Sequence, residues 1–586
     1  MTGLRLADHG VVGDRATAAL IDATGAIDWY APDGMDRPAS LYRLVDPTGG
    51  TIRIGLDRRD VVGEQTNDSN APIVTTTLTA RDATFSVTDH LLRGRIVRVV
   101  TGLRGMSEVT SEVVPGWRFG LPRRVDRWSD GIAFGSLIVR GVDLDTPRVL
   151  APDERFVVTI SPLDDQRMLR SAPELAGLTV GGAMAEQDLL RREWRNSLGR
   201  IELTSVYRAQ ALISIRHLRL MTDRTSNALL RALTTSLPAR TGNERNIDER
   251  YAWLRDNADV TMLWESLGAH EWADASRWWL HQRARDEYPL APAYQCSGDG
   301  IGSEEDAMLP GWRGHGPVRS GNKVGSLLDL GATAQLSLVL DARSSWPELE
   351  TLGNFLAENI RRPDNGRWDR RVRPQRHVES ALAVRAALGA LIRTAQRRDP
   401  LDPVVVGWRE ARSELDEWLQ NEGCFGRRPT AGWRRLGAAT EGDIGDDTSD
   451  ASLLMHLCDP SALPTLPDDE HDDAATRRNA TLAQTAAQLS EGVLMHRHLA
   501  HVDDGFPPGQ GADLWSSFTF VRALCAANRW EEAHERMESL LPLLGPTGIG
   551  ATHVDPASRD LRGNLVAAPT HLAVVMACAA FAKSPQ

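Results

Sequence analysis

The sequence predicts two structural regions, an antiparallel β-sandwich at the N-terminus and a closed barrel of helix pairs after it. A chain of 586 residues is too long for one ordinary core, so we expect two domains. Up to about residue 180, short runs rich in Val, Ile, Thr and Leu alternate with turn residues. The roughly 380 residues that follow are almost entirely helical in pattern and show no repeat of fixed period. We therefore expect a barrel rather than a solenoid.

The strands of the sandwich are predicted by β-branched segments that are bounded by turn residues. In chain order they are GAIDWYAP (25–32), GGTIRIGL (49–56), PIVTTTLTA (72–80), ATFSVTDH (83–90), RIVRVVTGL (95–103), IAFGSLIVRG (132–141) and RFVVTISP (155–162).

The helices are predicted by apolar residues that recur every three or four positions. A polar helix comes first, at AEQDLLRREWRNSL (185–198), and more apolar helices follow it. These are DVTMLWESLG (259–268), ADASRWWLHQRA (273–284), SLLDLGATAQLSLVLDA (326–342), VESALAVRAALGALIRTA (378–395) and WEEAHERMESLLPLL (530–544).

Charge and composition exclude several partners. The net charge is −12, and no run of Lys and Arg is dense enough for a phosphate-binding face, so we expect no nucleic acid. The opening MTGLRLADHG lacks the apolar core of a secretory signal, and the late stretch HLAVVMACAAFA is too short to span a bilayer. We expect a cytoplasmic protein with no membrane partner. Whether it forms a homo-oligomer stays open.

The cysteines and histidines predict neither a metal site nor a cofactor. The five cysteines are odd in number, widely spaced and never in a C-x-x-C pair, which argues against a disulfide framework and a thiolate site. His496, His498 and His501 cluster in MHRHLAH, but no carboxylate stands at ligand spacing. We therefore expect no bound metal.

Seven strings resemble glycoside hydrolase family 15, the glucoamylase and trehalase group, in the same order and at matching spacing. They begin with LADHGVVGDRATAALIDATGAIDWYAPDGMDRPAS (6–40), TTSLPARTGNERNIDERYAWLRD (234–256), GHGPVRSGN (314–322) and PDNGRWDRRVRPQRHVES (363–380). SDASLL (449–454), PPGQGADLWSSF (507–518) and ATHVDPASRDLRGNLVAAPTHLA (551–573) complete the set. The resemblance implies a β-sandwich over 1–180, a helical linker over 181–204 and an (α/α)6 barrel over 205–586.

The resemblance implies hydrolysis of α-glucosidic bonds with inversion, by one glutamic acid that protonates the leaving oxygen and one glutamate that activates water. Such carboxyls stand roughly 6.5 to 9.5 Å apart, so that water fits between them. The acid strip of the family, PD.GIWE.R, corresponds here to residues 363–371 and places Asp369 at the acid position. Its side chain is one methylene shorter, about 1.5 Å, a misplacement that can lower the rate about a hundredfold.

The base side departs further from the family pattern. The base strip, approximately AEEYDP or SEEVDP, corresponds to ATHVDP, so Thr552 takes the base position and His553 the next one. Threonine is no general base near neutrality unless another group takes its proton. A third carboxylate, in the GEGAF segment of the family, is replaced by Gln510. Asp513 or His553 could supply a substitute base, or these positions could be relaxed in a protein that has lost hydrolysis.

Several substrate-holding positions match the family. In WLRD, Arg255 and Asp256 suit bidentate contacts to sugar hydroxyls, and the alternative is a buried ion pair that only joins two helices. The indoles of Trp253 and Trp368 can stack on the apolar face of a sugar. Arg319 of GPVRSGN also matches the family pattern.

Three functions are consistent with this sequence. The first is a glycosidase that uses Asp369 as acid together with a relocated base. The second is a repurposed enzyme in which Asp369 initiates a cyclisation, dehydration or isomerisation that needs no activated water. The third is a carbohydrate-binding protein without catalysis. In each case the partner is a carbohydrate or another small molecule.

Overall fold

The structure is a computed structural model that describes residues 5–58, 60–163, 177–242, 244–341, 343, 345–421, 449–458 and 474–583. Cys424, one of the five cysteines, lies outside these ranges. Within the described residues, no helix has the length and apolar composition that crossing a membrane requires.

The N-terminal region consists of two antiparallel sheets, as predicted. A six-stranded sheet has the order β1-β2-β3-β4-β9-β13, and an eight-stranded sheet has the order β10-β11-β12-β14-β8-β7-β6-β5. The strands are β1 His9–Gly13, β2 Ala18–Asp22, β3 Ala26–Tyr30, β4 Thr51–Leu56, β5 Val62–Asn67, β6 Val74–Thr79, β7 Thr84–Leu92, β8 Arg95–Arg104, β9 Ser107–Val114, β10 Val125–Trp128, β11 Gly131–Phe134, β12 Leu137–Arg140, β13 Arg148–Leu150 and β14 Arg155–Pro162.

Apolar side chains from both sheets share one core. Ile21 and Ile52 of the first sheet pack in the same buried cluster as Phe85, Val100 and Phe134 of the second. Buried and more exposed residues alternate along β6, so one face of this strand points into the core. The first helix, α1 (Val180–Leu198), covers the eight-stranded sheet by packing Ala183 on its valines.

The rest of the chain is mainly helical, and its larger core also includes N-terminal residues such as Val11, Leu20 and Trp29. Its helices are α2 Arg208–Met221, α3 Leu254–Ser266, α4 His270–Ala284, α5 Leu330–Val339, α6 Trp346–Glu358, α7 Val378–Arg398, α8 Val404–Asn421, α9 Leu454–Leu457, α10 Ala474–Leu489, α11 Leu514–Ala526, α12 Trp530–Leu540 and α13 Ala568–Ala580. Neighbours pack in pairs, among them α3 with α4, α5 with α7, and α11 with α13.

Short strands interrupt the helices, which differs from the nearly all-helical region that the sequence predicted. The pairs β15 (Ala252–Trp253) with β16 (Ala293–Tyr294) and β17 (Glu305–Asp306) with β18 (Arg319–Ser320) form two small sheets. A five-stranded sheet combines β19 Ser490–Glu491, β20 Leu494–Met495, β21 Ala512–Asp513, β22 Ala551–Val554 and β23 Leu561–Leu565. Segments this short cannot show a clear period of two. Two of them, β15 and β21, run directly into helices α3 and α11.

Candidate active site

One cavity is lined by eight of the ten residues that the sequence predicted for the site. Its walls come from β15 and the start of α3, from segment 363–371, from β21 and the start of α11, and from β22 and β23. The eight residues are Trp253, Arg255, Asp256, Trp368, Asp369, Asp513, Thr552 and His553. Residues of the two predicted catalytic strips, 363–371 and 551–556, therefore face a common space.

Asp369 is held in a backbone conformation that non-glycine residues rarely adopt. Its φ is 49°, in the left-handed region, which disfavours an L-residue by about 1 kcal/mol or more. The indole Nε1 of Trp253 donates a hydrogen bond of 2.9 Å to Asp369 Oδ2. Within the part of the chain that the structure describes, Oδ1 has no hydrogen-bond partner. That oxygen is available to a ligand in the cavity.

The protonation of Asp369 is set by burial and by one arginine. Burial raises the pKa of Asp369 to about 6, although the charge of Arg231 opposes the rise. Arg231 donates to Asp369 Oδ2 at 3.3 Å, and its guanidinium lies 4.0 Å from the ring centroid of Trp253. A carboxyl with this pKa still carries its proton in mildly acidic solution, as a general acid must.

Arg231 also fixes the predicted sugar-binding residue Asp256. Its Nε and Nη2 donate to the two oxygens of Asp256 at 2.6 and 3.1 Å, a bidentate pair. Sequence reasoning missed Arg231 because it lies just before the matched string 234–256 and carries no motif of its own.

Arg255 lines the cavity but is already engaged by two acids. It donates to both oxygens of Asp329 at 2.6 and 2.7 Å and to both oxygens of Glu379 at 2.7 and 2.9 Å. A guanidinium has five N–H groups, so one on Nη1 has no partner within the described ranges and remains for a ligand. Arg255 is only 2% exposed, which also fits the structural alternative, an ion pair that joins helices. Its role as a sugar ligand stays a prediction.

Thr552, at the predicted base position, and His553 form a buried pair on β22. Thr552 Oγ1 and His553 Nδ1 share a hydrogen bond of 2.9 Å. Strand β23 bulges opposite Thr552, and Gly563 adopts a φ of 73° there. A Cβ atom at Gly563 would clash with the Thr552 hydroxyl, so this position needs glycine.

Neither His553 nor Asp513 is well suited to activate water. Burial depresses the pKa of His553 well below its ordinary value, so the imidazole is neutral and a weak base. Asp513 pairs with His553 in the β21·β22 register and caps helix α11. Both of its oxygens are occupied, by Ser516 at 2.6 and 2.7 Å and by Arg497 at 2.8 Å. Burial acts to raise the pKa of Asp513, but Arg497 and Ser516 bring it below its usual range.

The cavity is also lined by two carboxylates that the sequence did not predict. Asp504 is bound through both oxygens by Arg245, at 2.5 and 2.8 Å. Glu249 accepts a hydrogen bond of 2.8 Å at Oε2 from the Asn564 side-chain amide on β23. Burial raises the pKa of Glu249, and the charge of Arg231 opposes that rise. Glu249 lies inside the matched string 234–256, but nothing in its local sequence signals a cavity position.

An aromatic wall completes the cavity. Trp368 and Trp515 meet edge to face with ring centroids 5.5 Å apart, and the indole of Trp368 donates to Asp450 at 2.7 Å. Arg367 lies over the ring of Trp515 at 4.0 Å. Fixed indoles of this kind can contact the apolar face of a sugar ring.

Arg319 and Gln510 are the two predicted residues that do not line this cavity. Arg319 donates to the backbone carbonyls of Glu244 and Asn246 and so supports the segment that precedes β15. Gln510 faces an adjacent cavity, where its amide lies 3.4 Å from Nε2 of His498. Both residues lie within matched strings, but neither side chain lines this cavity.

The antiparallel sheets, the helical region and the carboxyl-lined cavity are together those of a glycosidase-like protein. The chain belongs to the glycosyl hydrolases family 15, whose family model matches residues 205–543. The trehalase of Mycolicibacterium smegmatis is 25% identical, over 98% of this chain and 90% of that protein. Trehalase 1 of Sulfolobus acidocaldarius is 23% identical, over 97% of each chain. A bacterial glucoamylase complexed with acarbose shares the fold with a TM-score of 0.66, at 11% identity over 100% of this chain and 96% of that one.

Proposed function

We propose that this protein hydrolyses an α-glucosidic bond with Asp369 as the proton donor. The observation that carries the proposal is a single carboxyl: Asp369 lines the cavity, keeps one oxygen unbonded within the described residues, and has its pKa raised by burial to about 6. A carboxylic acid in such a setting can protonate the oxygen that leaves the anomeric carbon.

The substrate class follows from the relatives and from the walls of the cavity. Several relatives that match nearly the whole chain are named trehalases, which supports a short α-linked glucoside such as trehalose. Asp256 and the free N–H of Arg255 would hold sugar hydroxyls, and Trp253 and Trp368 would contact the ring.

The finer architecture belongs to the same proposal. We place a sandwich domain at 1–180, a helical linker at 181–204 and an (α/α)6 barrel at 205–586. The fold similarity to the bacterial glucoamylase over the whole chain supports this division. The proposed substrate pocket then lies within the barrel domain.

A panel of α-glucosides tests the function. Trehalose, maltose, isomaltose and an aryl α-glucoside are incubated with the protein, and the products are followed by NMR, where inversion releases the glucose on the donor side of the cleaved bond as its β-anomer. Asp369→Asn keeps the shape of the side chain but holds no transferable proton, so we expect glucose release to fall about 100- to 10,000-fold. The exposed Asp57→Asn is the matched control and should leave the rate unchanged.

Two results would contradict the proposal. Asp369→Asn with nearly full activity would exclude Asp369 as the acid. No glucose from any substrate, together with thermal stabilisation of the protein by glucose, would indicate a carbohydrate-binding protein instead.

A further inference from the structure

We propose that Glu249 is the water-activating base of this enzyme, in place of the carboxylate that is missing at Thr552. The inference rests on the proposed hydrolysis and names a residue that the family pattern does not supply. Among the residues that the structure describes, five carboxylates line the cavity: Asp256, Asp369, Asp504, Asp513 and Glu249. A base must have a carboxylate oxygen that is open to the cavity and not committed to the protein.

Three of the five carboxylates accept hydrogen bonds from the protein at both oxygens. Arg231 binds Asp256 and Arg245 binds Asp504, each in bidentate geometry. Asp513 is fully occupied by its helix cap and by Arg497. Asp369 keeps an open oxygen but is assigned to the acid.

Glu249 is the remaining carboxylate, and its contacts leave one oxygen open. Its Oε2 accepts the hydrogen bond from Asn564, while Oε1 has no partner among the residues that the structure describes. The Asn564 amide thus fixes the carboxylate and leaves its second oxygen for water.

The anchor of Glu249 lies beside the vacated base position. Asn564 is the neighbour of Gly563 in the bulge of β23 that stands opposite Thr552. Asp369, by contrast, is anchored by the indole of Trp253 on β15. The two open carboxyls are therefore anchored by different strands, β23 for Glu249 and β15 for Asp369, and both line the same cavity, where we place the acid and the base on opposite faces of a sugar.

The proposed step balances without any further reagent. Oε1 of Glu249 takes one proton from water as the water oxygen bonds to the anomeric carbon. The bond from that carbon to the leaving oxygen breaks, and the leaving oxygen takes the proton of Asp369. Glu249 ends protonated and Asp369 ionised, and exchange with solvent restores both. We assign the same water a contact with the Thr552 hydroxyl, which lines the cavity and is hydrogen-bonded to His553.

Glu249→Gln tests the assignment with two substrates. α-Glucosyl fluoride needs no proton donor because fluoride leaves unaided, whereas trehalose needs one. We expect Glu249→Gln to lower kcat about 100- to 10,000-fold on both, with KM changed only a few-fold, and Asp369→Asn to spare the fluoride. Glu244→Gln, an exposed glutamate in the same segment, is the matched control.

Azide separates a catalytic role from a structural one. A small anion that enters the space of the lost carboxylate should restore turnover of the fluoride by Glu249→Ala and give β-glucosyl azide, with no gain for wild type or Asp369→Asn. Should Glu249→Gln fail to fold, Glu249→Ala also takes its place in the assay with two substrates. Wild-type kcat in the folded variant, or a loss without any azide product, would overturn the assignment. A wild-type protein inactive on every glucoside would overturn the proposed function itself.

Discussion

Replacing Asp369 by asparagine should stabilise the protein in neutral and alkaline solution and have little effect in acid. Burial raises the pKa of this carboxyl from 3.8 to about 6, so the folded state binds the proton more tightly than the unfolded chain does. Ionisation of Asp369 therefore opposes folding. The penalty is absent below the unfolded pKa, grows as the pH rises between the two values, and is complete above the folded pKa.

The size of the penalty follows from the shift. One pKa unit corresponds to about 1.4 kcal/mol, so a rise from 3.8 to about 6 amounts to about 3 kcal/mol at full ionisation. The side chain is only 17% exposed, so screening by solvent removes little of this energy. Asparagine resembles the protonated carboxyl in shape and carries no charge, and the variant therefore lacks the penalty at every pH.

Thermal melting measures the effect. The melting temperatures of wild type, Asp369→Asn and the exposed control Asp57→Asn are compared between about pH 3 and about pH 8. We expect Asp369→Asn to match wild type at the acid end and to exceed it by a few degrees at the alkaline end. Because wild type and variant share every other titrating group, only the difference between them is interpreted. A difference that stays constant across this range would refute the raised pKa.

Three further predictions concern the same cavity. The value of kcat/KM for trehalose should fall as the pH rises above about 6, because the acid loses its proton, and this fall should be absent for α-glucosyl fluoride. Arg231→Met should lower the free energy of unfolding by about 3 to 5 kcal/mol because Asp256 is left buried without its partner, and Asp256→Asn in the same chain should restore part of the loss. Gly563→Ala should lower kcat, because the added Cβ displaces the Thr552 hydroxyl. Gly407→Ala, in a helix with open space around it, is the control and should leave kcat unchanged and the melting temperature equal or higher. Thermal melting and kinetics of both variants check this prediction.

The sequence predicted the large elements of the fold well because their patterns are local. Period-two segments such as 72–80 and 95–103 became strands β6 and β8, and the long periodic segment 378–395 became helix α7. The five-stranded sheet was not predicted, since strands such as Ala512–Asp513 are too short to carry a pattern. Their pairing is set by packing against α11 and α13 rather than by local propensity.

The site was predictable only where a motif marked it. Asp369, Thr552 and His553 were selected from aligned strings, and the fold brings them to one cavity. Arg231 and Glu249 have no such mark, because their roles depend on partners far away in sequence. Arg231 meets Asp369 across 138 residues, and Glu249 meets Asn564 across 315. A prediction from local sequence patterns therefore cannot include these contacts.

On the proposed mechanism, the two departures from the family pattern are linked rather than independent. The water in an inverting site fits a gap of roughly 6.5 to 9.5 Å between the carboxyls, so an acid shortened by one methylene widens that gap by about 1.5 Å unless the base moves as well. Glu249 lies on the segment before β15 and is held by a hydrogen bond from Asn564. A base at this position can lie at a different distance from the acid than a base on β22 can. On this mechanism the shorter acid at Asp369 and the move of the base from Thr552 to Glu249 compensate each other, whereas either change alone would lower the rate.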